Sequence, residues 1–226
     1  MSTQNLPDSA LQKILVIDDH EIALGGTINV LQRQYPEAEI LTAQTAESAH
    51  NQVSRLVLNL VVMDLSIPEK PGVTARTDTG IQLLKTLMKK YPNLNLVVQS
   101  TYVKTLVRIK LDIDAHKGGF TVADKSLSTK EMLTTVDWAL QGLTHTKDIT
   151  AMQTGLEVKP EWLTVLTLAF EKGLQDKAIA ERMQVSERMV RHYWSKVQDV
   201  LGIYPEPGKN IRIQTEMRAR EEGLID

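Results

Sequence analysis

The sequence predicts an α/β domain built on a doubly wound, five-stranded parallel sheet, followed by a small all-α domain. Two patterns predict it. Through Gly142, short uninterrupted aliphatic runs alternate with helix-length amphipathic stretches, and beyond that point strand-like runs stop. Length is the third observation: 226 residues, 42% of them hydrophobic, suit two ordinary domains with cores of their own.

The expected strands are Ile14-Leu-Val-Ile17, Glu39-Ile-Leu-Thr42, Leu60-Val-Val-Met63, Leu96-Val-Val98 and Phe120-Thr-Val122. Continuous Ile, Val and Leu without polar alternation suits strands covered on both faces. Helices are expected over 21–34, 45–56, 80–91, 103–115 and 129–142, each crossover being long enough for a βαβ unit. Tyr35-Pro36 and Tyr91-Pro92 end helices, because a residue before proline disfavours the α region. Ser128-Thr-Lys-Glu131 reads as a capping box that opens the fifth helix. The domain plan is a tail over 1–12, the α/β domain over 13–142, a linker over 143–158 and an all-α domain over 159–226. Helices in the last are expected over 160–172, 175–183, 187–201 and 210–222.

Composition excludes several classes. Without cysteine there is no disulfide scaffold, Cys-ligated zinc, iron–sulfur cluster or thiol nucleophile. With 26 Lys+Arg against 28 Asp+Glu, the formal charge of −2 gives no global attraction to nucleic acid or membrane. The aliphatic runs are too short to span a bilayer, and the polar, acid-bearing first residues are unlike a signal peptide. A cytoplasmic protein without membrane contact is the expectation.

In an open parallel sheet, ligands bind at the carboxyl ends of strands near the switch in strand order. Asp18 and Asp19 follow the first run there and Asp64 follows the third. Three carboxylates in one pocket repel each other unless a cation compensates, and oxygen-only ligation favours Mg²⁺. Ser100 ends the fourth strand and Lys125 follows the fifth, placing a hydroxyl and an ammonium for phosphoryl oxygens on Asp64.

These residues carry a resemblance. Lys13-Ile-Leu-Val-Ile-Asp-Asp-His20, Val61-Val-Met-Asp-Leu-Ser-Ile-Pro68, Val97-Val-Gln-Ser100 and Gly119-Phe-Thr-Val-Ala-Asp-Lys125 resemble the CheY-like, flavodoxin-like receiver domain of bacterial response regulators. The resemblance implies Asp64 as phosphoacceptor, served by a histidine kinase or phosphotransfer protein. It implies Mg²⁺ held by Asp18, Asp19, Asp64 and the Ser66 carbonyl, Ser100 and Phe120 as switch residues, and Lys125 as the phosphate-binding lysine. Two features depart from the family: the loop Leu65–Thr79 is longer than usual, and four residues separate Phe120 from Lys125 where two are common. Lys117 is the alternative lysine.

In the all-α domain, Val190, Trp194, Val197 and Leu201 form one apolar stripe, with Arg188, Arg191, His192, Ser195 and Lys196 largely outside it. Gly173-Leu-Gln-Asp-Lys-Ala-Ile-Ala-Glu-Arg-Met-Gln-Val-Ser186 and the residues after it resemble the helix-turn-helix of the LuxR/NarL family. That resemblance implies double-stranded DNA as partner, with 187–201 as recognition helix and Lys177, Arg188, Arg191, His192, Ser195 and Lys196 as contacts. It also implies a homodimer through the last helix. Met189, where the family usually has threonine, and the insertion Tyr204-Pro-Glu-Pro-Gly208 are departures.

The whole then reads as a phosphorylation-regulated transcription regulator rather than an enzyme in its own right. The alternative is a phosphorylation-independent dimeric transcription factor that uses its receiver to dimerise. An aspartyl-phosphate phosphotransferase fits less well, because such enzymes place two acids on the nucleophile's own strand end, whereas Asp18-Asp19 and Asp64 lie on different strands.

Overall fold

Strand β1 (Lys13–Ile17) lies between β2 (Glu39–Ala43) and β3 (Leu60–Met63), and β4 (Asn95–Ser100), β5 (Phe120–Asp124) and β6 (Thr144–His145) follow outward from β3. The computed structural model describes residues 11–146 and 158–225, so the expected tail 1–12 and linker 143–158 fall largely outside the described residues. All pairs are parallel and in the order β2-β1-β3-β4-β5-β6. Ile14–Ile17 and Leu60–Met63 are buried on both faces, which is why these strands read as unbroken aliphatic runs.

The sheet has six strands rather than five. β6 is two residues long, pairing Thr144 with Phe120 and His145 with Thr121. An edge strand this short needs no aliphatic run, so the polar Thr-His pair resembled linker sequence.

The described residues fall into two units. One holds those up to Thr101 together with Ala115–His145, and the other holds Tyr102–Asp114 together with Thr146 and the chain from 158 onward. In the first, helices α1 (Glu21–Gln34) and α5 (Thr129–Leu140) pack together, as do α2 (Ala46–Arg55) and α3 (Thr77–Lys90). Leu24, Leu31, Met132, Val136 and Ala139 meet Ile14, Val16, Leu60, Val62 and Val97 in one apolar cluster. Ser128 caps α5 through the expected reciprocal bonds with Glu131.

Helix α3 begins at Thr77, before the expected start at Gly80, and places that glycine inside the helix. The reason is steric. A Cβ on Gly80 would lie 2.1 Å from the Leu65 carbonyl oxygen and 2.5 Å from its Cα. Helix α3 therefore presses against the backbone of the residue that follows Asp64. Gly80→Ala is expected to destabilise the domain by about 2 kcal/mol or more, as overpacking does; a denaturant midpoint unchanged from wild type would contradict this close approach.

His116 adds a pH dependence. Its Nε2 lies 2.8 Å from the Leu94 carbonyl oxygen. Burial pushes the imidazole below its ordinary 6.5, outweighing the opposing backbone hydrogen bond. The unfolded chain then binds more protons than the folded one between the lowered value and 6.5. Stability should fall as pH drops below 6.5, and His116→Gln should flatten that slope in denaturation series between about pH 7.5 and 5.5.

In the second unit, the expected helix 103–115 divides into a 3₁₀ stretch, Val103–Ile109, and the short α4, Lys110–Ala115, of which the unit takes residues up to Asp114. The C-terminal helices are α6 (Pro160–Leu166), continued by a π-helical turn over Thr167–Glu171, then α7 (Asp176–Met183), α8 (Glu187–Leu201) and α9 (Ile211–Glu221). Val107 joins Trp162, Val165, Leu166, Ile179, Trp194, Leu224 and Ile225 in this unit's core. Lys104 Nζ donates to the Glu221 carbonyl at 3.0 Å and Arg108 Nε to that of Gly223 at 2.8 Å, satisfying carbonyls at the end of α9. Gly223 has φ +72°, and a Cβ there would come within 2.6 Å of the Lys104 backbone.

Candidate functional site

The parallel register brings four strand ends together. Asp64 N donates to the Ile17 carbonyl at 2.8 Å, which sets Asp64 beside Asp18 at the carboxyl ends of β3 and β1. Ser100 ends β4, in register with Asp124 of β5, and Lys125 follows. Asp64 and Asp18 are almost fully buried and Ser100 fully so.

The Asp64 carboxylate is held from both sides. Its Oδ1 accepts from the Ser100 hydroxyl at 2.6 Å and from Leu65 N at 2.6 Å, with Ser66 N at 3.3 Å. Its Oδ2 accepts from Lys125 Nζ at 2.7 Å, and the same ammonium reaches Asp18 Oδ2 at 2.7 Å. Burial alone would lower the Lys125 pKa, but the bonds to Asp18 and Asp64 outweigh it and hold the ammonium above the usual lysine range. Lys125, not Lys117, is thus the lysine at the rim, and it is charged.

Asp19 completes the cluster. One ligand atom from each of Asp18, Asp19, His20 and Asp64 lies within 4.8 Å of the others. Asp19 Oδ1 is buried and makes no hydrogen bond, although His20 Nδ1 lies 3.0 Å from it. A buried carboxylate oxygen without a hydrogen bond suits a hard cation, and the oxygen ligands of Asp18, Asp19 and Asp64 within this cluster fit Mg²⁺. His20 was not among the expected site residues. Its backbone N–H donates to Asp18 Oδ1 at 2.9 Å. The signal available was its place directly after the acidic pair.

Phe120 is not at this rim. It pairs with Leu96 and Thr144 at the amino end of β5, fully buried, while Ser100 pairs with Asp124 at the other end. The two-residue spacing usual before the lysine falls instead on Val122, a buried aliphatic. The switch role expected for Phe120 therefore does not fit its position, because the strand carries it away from Ser100.

The long loop after Asp64 is closed at its base by a bridge between Ile67 and Arg76. Ala46 N and Glu47 N, in the first turn of α2, donate to the carbonyls of Pro68 and Glu69, each at 3.0 Å. Residues 69–74 are exposed beyond that anchor.

In the second unit, Gln184 adopts φ +57° and ends α7, and the Ser186 hydroxyl caps α8 by accepting from Met189 N. The tight turn between the two helices follows from this pair of residues. Val190, Trp194, Val197 and Leu201 are buried as one stripe. Arg188, Arg191, His192, Ser195, Lys196 and, on α7, Lys177 are all exposed. Arg191 lies 3.6 Å from Glu187 and Lys196 3.8 Å from Asp199, exposed pairs that cost little to exchange for other anions.

Comparison with known proteins agrees with both halves. Residues 14–137 match the response regulator receiver domain family. The chain belongs to the response regulators. Over 95% of its length, this response regulator is 24% identical to the transcriptional regulatory protein YdfI of Bacillus subtilis, covering 98% of that protein. It is 24% identical to the DNA-binding transcriptional activator DevR/DosR of Mycobacterium tuberculosis, over 84% of this chain and 88% of that one. RcsB of Salmonella enterica serovar Typhimurium, solved bound to promoter P1flhDC, shares the fold with a TM-score of 0.60 at 18% identity. That likeness covers 96% of this response regulator and all of the RcsB chain. A receiver of flavodoxin-like architecture followed by a helix-turn-helix unit is thus the arrangement of the chain.

Proposed function

We propose that this response regulator accepts a phosphoryl group on Asp64 from a histidine kinase or phosphotransfer protein and, in response, binds double-stranded DNA to regulate transcription. The observation that carries the reading is the Asp64 carboxylate, buried and flanked by the Ser100 hydroxyl and the Lys125 ammonium beside two further acids. Asp64 attacks phosphorus as the nucleophile: an oxygen–phosphorus bond forms, the donor's nitrogen–phosphorus bond breaks, and the donor imidazole keeps the electron pair. Asp18, Asp19 and Asp64, with the Ser66 carbonyl, would hold Mg²⁺, which when bound neutralises charge on the phosphoryl oxygens. Ser100 and Lys125, now spent on Asp64 itself, are placed to pair those oxygens once they arrive.

The exposed residues of α8 enter the major groove in this reading, with Arg188, Arg191 and Lys196 meeting phosphates or bases and Lys177 bracing the backbone. Since the chain as a whole is not basic, one recognition helix binds weakly, and a homodimer on two half-sites gains by effective concentration. Ile213 and Met217, exposed one turn apart on α9, suit that pairing. Immunoprecipitating the protein with its bound DNA from its own cells tests the reading. Discrete enriched sites sharing a paired motif are expected, and recovery indistinguishable from a mock precipitation would refute it.

A further inference from the structure

Helix α9 carries an arginine where the helix dipole disfavours one. Arg212 stands in the first turn, whose N–H groups have no backbone partner within the helix and form its positive end. Asn210 fixes where that turn begins, its side chain accepting from Arg212 N at 2.9 Å and from Ile213 N at 3.4 Å. A residue set against a local rule calls for a compensating gain elsewhere.

The gain is a clamp across three helices. Arg212 Nη2 donates to Asp176 Oδ2 at 2.9 Å and to Oδ1 at 3.2 Å. Its guanidinium carbon lies 3.5 Å from the centre of the Trp194 ring, stacked on the indole. The Trp194 indole N–H closes the triangle, donating to Asp176 Oδ1 at 3.0 Å. A carboxylate at the start of α7, an indole in the middle of α8 and a guanidinium at the start of α9 thus satisfy one another. Gln198 of α8 donates to the Thr215 hydroxyl of α9 at 3.4 Å, one turn further along.

Trp194 belongs to the buried stripe of α8, whereas Arg188, His192, Ser195 and Lys196 are exposed. The clamp therefore grips the recognition helix from behind its basic face. With its face covered by the Arg212 guanidinium and its N–H held by the Asp176 carboxylate, the Trp194 ring has a fixed orientation, which opposes rotation of the helix about its own axis.

We propose that Arg212 is a positioning residue for DNA recognition: through Asp176 and Trp194 it sets the rotation of α8 against α9, and so where the basic face meets the groove. The inference rests on the DNA-binding reading above and adds to it a residue outside the binding face. Because α9 is also the helix proposed to pair two chains, the same clamp fixes how the two recognition helices are spaced.

The test uses the full chain. Wild type selects duplexes from a random-sequence pool, and the enriched duplex and a scrambled one are titrated with wild type, Arg212→Met and Arg212→Lys. Measurements are made well below each variant's thermal midpoint, where circular dichroism shows full helix content. Arg212→Met is expected to lose about tenfold or more on the enriched duplex, as misplaced base contacts do. Its affinity for the scrambled duplex and its salt slope should stay unchanged. Arg212→Lys, which keeps the charge but not the planar stack, should fall between the two. Wild-type affinity in Arg212→Met would overturn the proposal by showing the clamp to be merely structural. Equal weakening on both duplexes with a salt slope smaller by about one would overturn it too, by making Arg212 a phosphate contact. Wild type that enriches no sequence would overturn the DNA-binding reading itself and the positioning role with it.

Discussion

Asp64→Ala protein is expected to incorporate no phosphoryl group from a small acyl phosphate in Mg²⁺, while wild type incorporates up to one per chain. The expectation follows from geometry. Asp64 is the carboxylate on which Ser100, Leu65 N and Lys125 converge. Asp18 shares Lys125, but its other oxygen is taken by the His20 N–H. Removing Asp64 leaves buried donors unpaired, which costs stability. Asp64→Asn is therefore the cleaner control, since an amide oxygen still accepts from Ser100 while the nucleophile is lost. Label on Asp64→Asn, with both proteins folded by circular dichroism, would show that a different residue accepts the phosphate.

The second large effect concerns the recognition helix. Arg188→Ala with Arg191→Ala is expected to weaken DNA binding by about a hundredfold, because each lost phosphate or base contact contributes roughly 1–3 kcal/mol. Both side chains are exposed, so the fold should be unaffected. Salt titration divides the effect: a slope shallower by about two identifies two phosphate contacts, whereas an unchanged slope with lost discrimination between sequences identifies base contacts. DNA binding equal to that of wild type would place the interface elsewhere on the unit.

Much of the receiver was legible because its physics is local. Unbroken aliphatic runs of four residues between helix-length stretches suit strands buried on both faces, and the acids at their carboxyl ends share a rim where the strands are neighbours, as β1 and β3 are. Asp18, Asp19, Asp64, Ser100 and Lys125 were found this way, and the structure brings all five together. Phe120 was misplaced because its aromatic ring was preferred over the family's two-residue spacing, which falls on Val122, and the register sets Phe120 at the amino end of β5, away from Ser100. β6 escaped because two polar residues at a sheet edge carry no hydrophobic signal. Gly80 resembled a helix boundary, whereas its role is a close approach to Leu65 that only the folded chain shows. The clamp of Asp176, Trp194 and Arg212 was equally hidden: the periodic stripe marks Trp194 as buried, but no spacing announces its pairing with Asp176 and Arg212 on two other helices.

The measurement that bears most directly on the account compares DNA affinity before and after phosphorylation in one preparation. Full-length protein is titrated onto its enriched duplex with Mg²⁺ alone and with Mg²⁺ plus a small acyl phosphate, and Asp64→Asn is carried through both arms. Tighter binding in the phosphodonor arm, absent from Asp64→Asn, is the predicted result. Equal affinity in both arms, in protein shown by mass to carry the phosphoryl group, would contradict it and favour a DNA-binding dimer whose receiver does not respond to phosphate.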